Sequence, residues 1–237
     1  MIAAGPVIPE FGQGSDCIRE NRTFCTDWVE SNWDTILWPR LVEHMELTAI
    51  AVSIGFVIAF AAALLAYRFG WFETPFAAVS GLLYTIPSLA LFQLLVPITG
   101  LTVTTVEVAL VSYTLLILFR NILSGLRSTP PEVIEAARGM GLTRMQTLVR
   151  VELPLALPAI VAGIRIATVT TISLATVAAF VLPEGLGQPI LDGLRTFFKT
   201  KFIAAGALAV LLAIGVDAAL VLAQRLLTPW TRVRRVS

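Results

Sequence analysis

The chain has 237 residues, 57% of them hydrophobic and 14% charged, with a mean hydropathy of +0.83. Soluble domains carry about a quarter charged residues, so this composition excludes that class and leaves a membrane protein. The net charge of +1 gives no reason to expect nucleic acid as a partner, and the 17 basic residues are arginines apart from Lys199 and Lys201.

An N-terminal segment, 1–46, precedes the first long apolar run. It sets Arg19, Arg22 and Arg40 against the acids Glu10, Asp16, Glu20, Asp27, Glu30, Asp34, Glu43 and Glu46. It therefore lacks the basic start of a cleaved signal peptide. Its stretch 26–41 mixes Trp28, Val29, Trp33, Ile36, Leu37 and Leu41 with acids. That pattern fits either an amphipathic helix on the membrane surface or an extension of the first span. A bilayer-spanning helix needs about 20 mostly apolar residues. Five runs qualify: 47–67 (ended by Arg68), 75–97, 101–119 (ended by Arg120), 154–182 and 202–222. The expected fold is all-α and polytopic, with a transmembrane domain at 47–228 and a basic tail at 229–237.

Lys and Arg in short loops set orientation. The loop between the third and fourth runs holds Arg120, Arg127, Arg138, Arg144 and Arg150, and the tail holds Arg225, Arg232, Arg234 and Arg235. Both are expected in the cytoplasm, so five crossings put the N-terminus outside and the C-terminus inside. Arg68 agrees, whereas Arg195, Lys199 and Lys201 fall outside. Trp71 and Trp230 then lie at the inner interface and Trp28, Trp33 and Trp38 near the outer one, as indole anchors do. Outside the cytoplasm a disulfide persists; Cys17 and Cys25 either close a small loop or remain two thiols.

Several chemistries are excluded by count. One histidine, His44, and two cysteines cannot supply a zinc ligand set, so no metal site is expected. No Gly-x-x-x-x-Gly-Lys-[Ser/Thr] loop occurs and neither lysine follows a glycine, so ATP is not hydrolysed by that route. No Gly-x-Ser-x-Gly elbow is present, and no catalytic residue is expected. His44, just before the first span, reads as a solvated or interfacial side chain.

The arginine-rich loop carries local signals. Thr129 with Glu132 has capping-box spacing, and Pro130 suits a first helical position. This predicts a short helix that closes near Gly139 to Gly141, where glycine takes a left-handed turn. Thr143 with Gln146 is a second capping box, opening a helix expected to stop before Pro154. Two short helices joined by a glycine turn make a rigid knob facing the cytoplasm.

Glu135-Ala136-Ala137, Gly141, Val151, Leu153 and Pro154 resemble the Glu-Ala-Ala loop of permease subunits of binding-protein-dependent ABC importers. That pattern runs Glu-Ala-Ala, three residues, Gly, nine residues, Ile, one residue, Leu-Pro. Every position matches in spacing, with Val151 where isoleucine is usual. The resemblance implies the type I ABC importer permease fold. It also implies that Glu135 to Leu153 docks into a cleft on an ATPase subunit, with Glu135, Ala136, Ala137, Gly139, Gly141, Val151, Leu153 and Pro154 as coupling residues in the loop 129–153.

A finer resemblance runs from about Trp33 onward. Thr85-Ile86-Pro87-Ser88-Leu89-Ala90, Arg120-Asn121, Glu135 through Gly141, Val151 through Pro158 and Gly185-Leu186-Gly187-Gln188-Pro189-Ile190 are similar to osmoprotectant permeases, which import glycine betaine, choline, carnitine or proline-like solutes. The outer loop departs from that branch's Gly-Ala-Gly-Gly-Leu-Gly, reading Leu182-Pro183-Glu184-Gly185-Leu186-Gly187. The resemblance implies a permease of the bacterial or archaeal cytoplasmic membrane that works by alternating access. It needs no cofactor of its own, because ATP is bound by partners. Those partners are two ATPase subunits, a second permease (identical or homologous) and an extracytoplasmic substrate-binding protein. No soluble binding domain lies within these residues, so that protein is expected to be a separate chain. Alternatives are an ABC permease for another small polar solute such as an amino acid, an ion-gradient-driven secondary transporter, or a non-transporting membrane scaffold. Five spans without an inverted repeat argue against the secondary transporter.

Within the spans, Pro87 removes the hydrogen bond to the Leu83 carbonyl, with Thr85 and Ser88 nearby to compensate. It marks a hinge or path, or else a tolerated kink. The fourth run carries Thr168, Thr170, Thr171, Ser173 and Thr176, which line a polar pathway or glue helices together. Thr85, Pro87, Ser88, Thr168 and Thr171 are the candidate path residues. Three intramembrane charges, Glu107, Arg165 and Asp217, need partners or a wet cavity. Arg165 lies about 16 Å along its helix from Pro154 at 1.5 Å per residue. A pair with Asp217 or Glu107 is expected. Arg165 would repel a quaternary ammonium, whose recognition is expected to rest on aromatic faces in the binding protein.

Overall fold

A computed structural model describes residues 15–229; Trp230, Arg232, Arg234 and Arg235 of the basic tail lie outside the described residues. Two short helices, α1 (Asp16–Arg19) and α2 (Thr26–Ser31), precede a π turn at Trp33–Leu37 that runs directly into α3 (Trp38–Arg68). The chain continues through α4 (Glu73–Thr85), α5 (Ser88–Thr99) and α6 (Val103–Arg127). Then come α7 (Pro131–Gly139), α8 (Arg144–Thr147), a second π turn at Leu148–Glu152, α9 (Leu153–Ala178), α10 (Gly187–Arg195) and α11 (Lys199–Leu227). Among the described residues four helical stretches are long and apolar enough to cross a bilayer: Trp33–Arg68, Val103–Arg127, Arg144–Ala178 and Lys199–Leu227. The stretch expected either to lie on the membrane or to extend the first span does the latter from Trp33 onward.

The second expected span is not one kinked helix. α4 and α5 meet at 102°, and the break is complete because Ile86 is extended (φ −66°, ψ 129°) and Pro87 caps α5. Proline forbids the helical conformation to the residue before it and has no N–H to offer the preceding turn. The Tyr113 hydroxyl donates to the Ile86 carbonyl at the break at 2.5 Å, and Tyr84 meets Tyr113 edge-on with ring centroids 6.1 Å apart. α6 therefore meets the break through Tyr113.

α3, α6 and α9 form the centre. Small residues let them approach: a Cβ on Gly163 would fall 2.6 Å from Asn121 Cβ, and one on Gly55 would overlap the Thr114 hydroxyl. Such close approach is how helices associate where lipid removes the hydrophobic drive. One apolar cluster gathers Ala59, Ala63, Leu118, Ile122 and Ala156 toward the α6–α7 end. A second gathers Leu47, Ala51, Phe92, Leu110 and Ala175 toward the other. At the α6–α7 end, Arg127 grips Glu73 with both Nη atoms (3.1 and 2.6 Å). α11 joins through a bidentate pair in which Arg165 Nε and Nη2 donate to Asp217 at 2.8 and 2.9 Å.

His44 is fully buried, contrary to the expected solvated or interfacial position. Its Nε2 donates to the Ile172 carbonyl at 3.0 Å and its Nδ1 accepts from the Leu186 N–H at 3.3 Å. A carbonyl only accepts and an N–H only donates, so these contacts require the neutral ring with the proton on Nε2. Beside it, Glu43 accepts from the Gly185 N–H at 3.0 Å and from Arg40, which also donates to the Pro183 carbonyl at 2.7 Å. Gly185 has φ +60°, and a Cβ there would meet His44 Nδ1 at 2.8 Å. Arg40, Glu43 and His44, on one and a half turns of α3, thus pin the loop between α9 and α10.

Cys17 and Cys25 form a disulfide, closing a loop that docks on the α10–α11 turn. Asn21 donates from Nδ2 to the Phe197 carbonyl at 2.7 Å and accepts at Oδ1 from the Lys199 N–H at 3.1 Å. The Cys25 N–H donates to Thr200 Oγ1 at 3.1 Å, and Trp28 meets Phe198 edge-on at 5.3 Å.

Candidate functional site

The loop between α6 and α9 combines a tight turn with a stiff exit. At the end of α7 the Leu142 N–H donates to the Ala137 carbonyl at 3.2 Å and the Gly141 N–H to the Arg138 carbonyl at 2.9 Å. Gly141 stands at φ +83°. This is a Schellman turn, in which the left-handed residue is glycine because a side chain is strained there. No atom lies within 4 Å of where a Gly141 Cβ would be, so the constraint is conformational and not one of space. Gly139 is the last helical residue.

The second capping box forms in full: Gln146 N–H donates to Thr143 Oγ1 at 3.3 Å and Thr143 N–H to Gln146 Oε1 at 2.8 Å. The first does not. α7 begins at Pro131 with Pro130 at its cap and no side-chain cap bond, while Thr129 is buried with its hydroxyl unpartnered among the described residues. Two consecutive prolines fix the chain in extended backbone before the helix, and this moves the start one residue beyond the Thr129 register.

The helix opened at Arg144 does not stop before Pro154. The Leu153 N–H reaches back to the Leu148 carbonyl, a five-residue step that absorbs the donor missing at Pro154 and lets the helix run on into α9. Leu153 and Leu148 pack against the core cluster at this end, and Ala137 is buried. Glu135, Ala136 and Gly139 are exposed and Val151 and Pro154 are half-buried. The motif thus divides into anchors and an outward-facing tip, Glu135-Ala136.

Other candidates fall elsewhere. Thr85 and Pro87 are exposed and Ser88 half-buried at the α4–α5 break, with the Thr85 hydroxyl bonded to the Leu82 carbonyl at 2.7 Å. Thr168 and Thr171 are buried, and their hydroxyls donate to Ile164 and Ala167 of their own helix. Of the two partners open to Arg165, Asp217 takes it; both carboxylate oxygens of Glu107 are inaccessible and unpartnered among the described residues. The anchors Arg40, Glu43 and Asn21 were missed. Their signal lies in a loop glycine and in segments far apart in sequence.

Residues 47–233 match the family model described as "Binding-protein-dependent transport system inner membrane component". The chain belongs to this family. The permease is 38% identical over 192 residues to the osmoprotectant import permease protein OsmW of Salmonella typhimurium, spanning 79% of this chain and 89% of that one. It is 34% identical over 203 residues to the choline transport system permease protein OpuBB of Bacillus subtilis, spanning 85% and 93%. In fold it is similar to the permease of the MetNI methionine ABC transporter, with a TM-score of 0.73 at 24% identity over 84% of this chain and 98% of that one. It is a multi-pass inner-membrane protein and the permease component of an ABC importer. Membership implies separate ATPase and substrate-binding partners, the ATPase site lying on the former.

Proposed function

We propose that this permease moves a compatible solute of the glycine betaine, choline or carnitine type into the cell by alternating access. The observation that carries the solute class is the identity of 34% to 38% to osmoprotectant and choline permeases over about nine-tenths of their length. The chain enters the membrane with its N-terminus outside and its C-terminus inside. Five arginines between Arg120 and Arg150 support that orientation, following the positive-inside rule. The loop 129–153 faces the cytoplasm, and Glu135 to Leu153 docks on one of two ATPase subunits. A second permease, identical or homologous, completes the pathway. An extracytoplasmic binding protein delivers the solute to the end that carries the Cys17–Cys25 loop and α10. The α4–α5 break at Thr85, Pro87 and Ser88 is the hinge, and no cofactor is needed beyond the ATP held by the partners.

The test is uptake of labelled glycine betaine and choline in a host lacking its own osmoprotectant importers, with the chain expressed alongside its genomic neighbours. ATP-dependent uptake is expected. A complex that hydrolyses ATP and carries neither solute would overturn the solute class while leaving the importer.

A further inference from the structure

At the cytoplasmic end of α3 a cleft of about 860 Å³ opens between that helix and the loop helices α7 and α8. Arg68, Arg138 and Arg144 converge on it from three different helices, and Glu152 is its one carboxylate. None of the three arginines is in an ion pair among the described residues. Tyr67 lines the same cleft, and Glu152 Oε2 keeps no hydrogen-bond partner among the described residues. The cleft therefore holds an excess of two positive charges, with one buried acceptor beneath it.

Its other wall is apolar and continues out of it. Ala61 and Leu65 line the cleft, and above them Ile50, Ile54, Val57 and Ile58 are exposed on the same face of α3. Leu65 to Ile50 spans about 22 Å at 1.5 Å per residue, more than half of a hydrocarbon core about 30 Å thick. Just past Arg68, Phe69 and Trp71 are exposed, and exposed indoles mark the headgroup level. The arginines thus sit at headgroup depth beneath a hydrocarbon-length apolar track.

The geometry points to a binding site for an anionic phospholipid of the cytoplasmic leaflet, phosphatidylglycerol in chemical class. The arginines take the phosphate, and one acyl chain lies along α3. An acidic surface of the ATPase subunit would meet Arg138 and Arg144 but would leave the intramembrane track uncovered, so the lipid fits more of what is present. The leaflet rests on the orientation proposed above; the site itself does not.

The experiment is native mass spectrometry of the assembled transporter, titrated with phosphatidylglycerol or phosphatidylcholine. Preferential retention of phosphatidylglycerol is expected, with Arg68→Gln/Arg144→Gln lowering it roughly tenfold or more, since each basic side chain at a membrane surface is worth about 1 kcal/mol. Arg68→Lys, which keeps the charge at an exposed position, should retain most of it. Equal retention of both lipids overturns the site, as does a double variant that binds like the parent. Retention by the isolated permease that vanishes once ATPase subunits assemble would assign the cleft to the ATPase instead. The uptake assay does not bear on any of these outcomes, so failure of the solute assignment and failure of the lipid site are separable.

Discussion

Arg165 and Asp217, 52 positions apart, hold α9 and α11 together through two parallel hydrogen bonds of 2.8 and 2.9 Å. A forked guanidinium–carboxylate pair is geometrically specific, and it joins two helices that Gln224 also links by donating from Nε2 to the Pro158 carbonyl at 3.4 Å. Arg165→Gln or Asp217→Asn is expected to lower the thermal midpoint modestly, because charge-assisted bonds are discounted by exposure. Thermal unfolding in detergent measures this. The exchange Arg165→Asp with Asp217→Arg should recover part of the loss, and no recovery would mean that the pair is incidental.

Gly141→Asp forces a side chain into the left-handed region at φ +83°, at a cost of about 1–2 kcal/mol. The Schellman turn opens and the α7 tip moves. Uptake should fall sharply while the permease still reaches the membrane at normal levels. Parental uptake at parental expression would remove the loop from the coupling role.

The Cys17–Cys25 loop acts on the turn before α11 through Asn21. Asn21→Ala deletes both bonds to Phe197 and Lys199, and faster amide exchange at 197–200 is expected. Cys17→Ser/Cys25→Ser should give the same pattern, spread further. Unchanged exchange in both variants would show that the loop merely rests on the turn.

His44→Ala leaves the Leu186 N–H without its partner, removes a second donor from the Ile172 carbonyl and opens a void in a fully buried site. Each buried unsatisfied group costs about 1–3 kcal/mol, so a large drop in thermal midpoint is expected. His44→Gln, which can still donate and accept, should restore part of it.

Glu184 has its carboxyl held above the ordinary value of 4.5, first by burial and then by the neighbouring Glu43. A raised pKa in the folded state means the protonated form is favoured, so this contribution is complete in acid and lost as pH rises through the raised value. Amide exchange at 184–187, corrected for intrinsic rate, should therefore be slower at pH 5 than at pH 8. Glu184→Gln should flatten the difference; an unaltered difference would place its cause elsewhere.

Features written in short stretches of chain were legible. The glycine turn at Gly141 and the Thr143–Gln146 box depend on residues within six positions of each other, and both formed. The Thr129–Glu132 box did not, because the proline pair set the helix start. Pro87 announced a disturbance but not its size: at the 102° bend Tyr113 of α6 takes the Ile86 carbonyl, a contact with no local signature. His44 was misread for the same reason, since its partners lie 128 and 142 positions away. The charges Arg165 and Asp217 were visible as a problem needing a solution, and only the fold selected which acid supplied it.

From Arg144 to Ala178 the backbone is helical for 35 residues without a gap, about 50 Å at 1.5 Å per residue. The π turn that carries it past Pro154 means that no slack joint separates the loop from the membrane. A tilt imposed at Thr143 must reappear at Ala178, beside the loop that His44 pins, and through Arg165 it must drag α11 along. Under the coupling role proposed for the loop this helix would serve as a push-rod, and a flexible insertion at 148–152 is expected to disconnect its two ends mechanically.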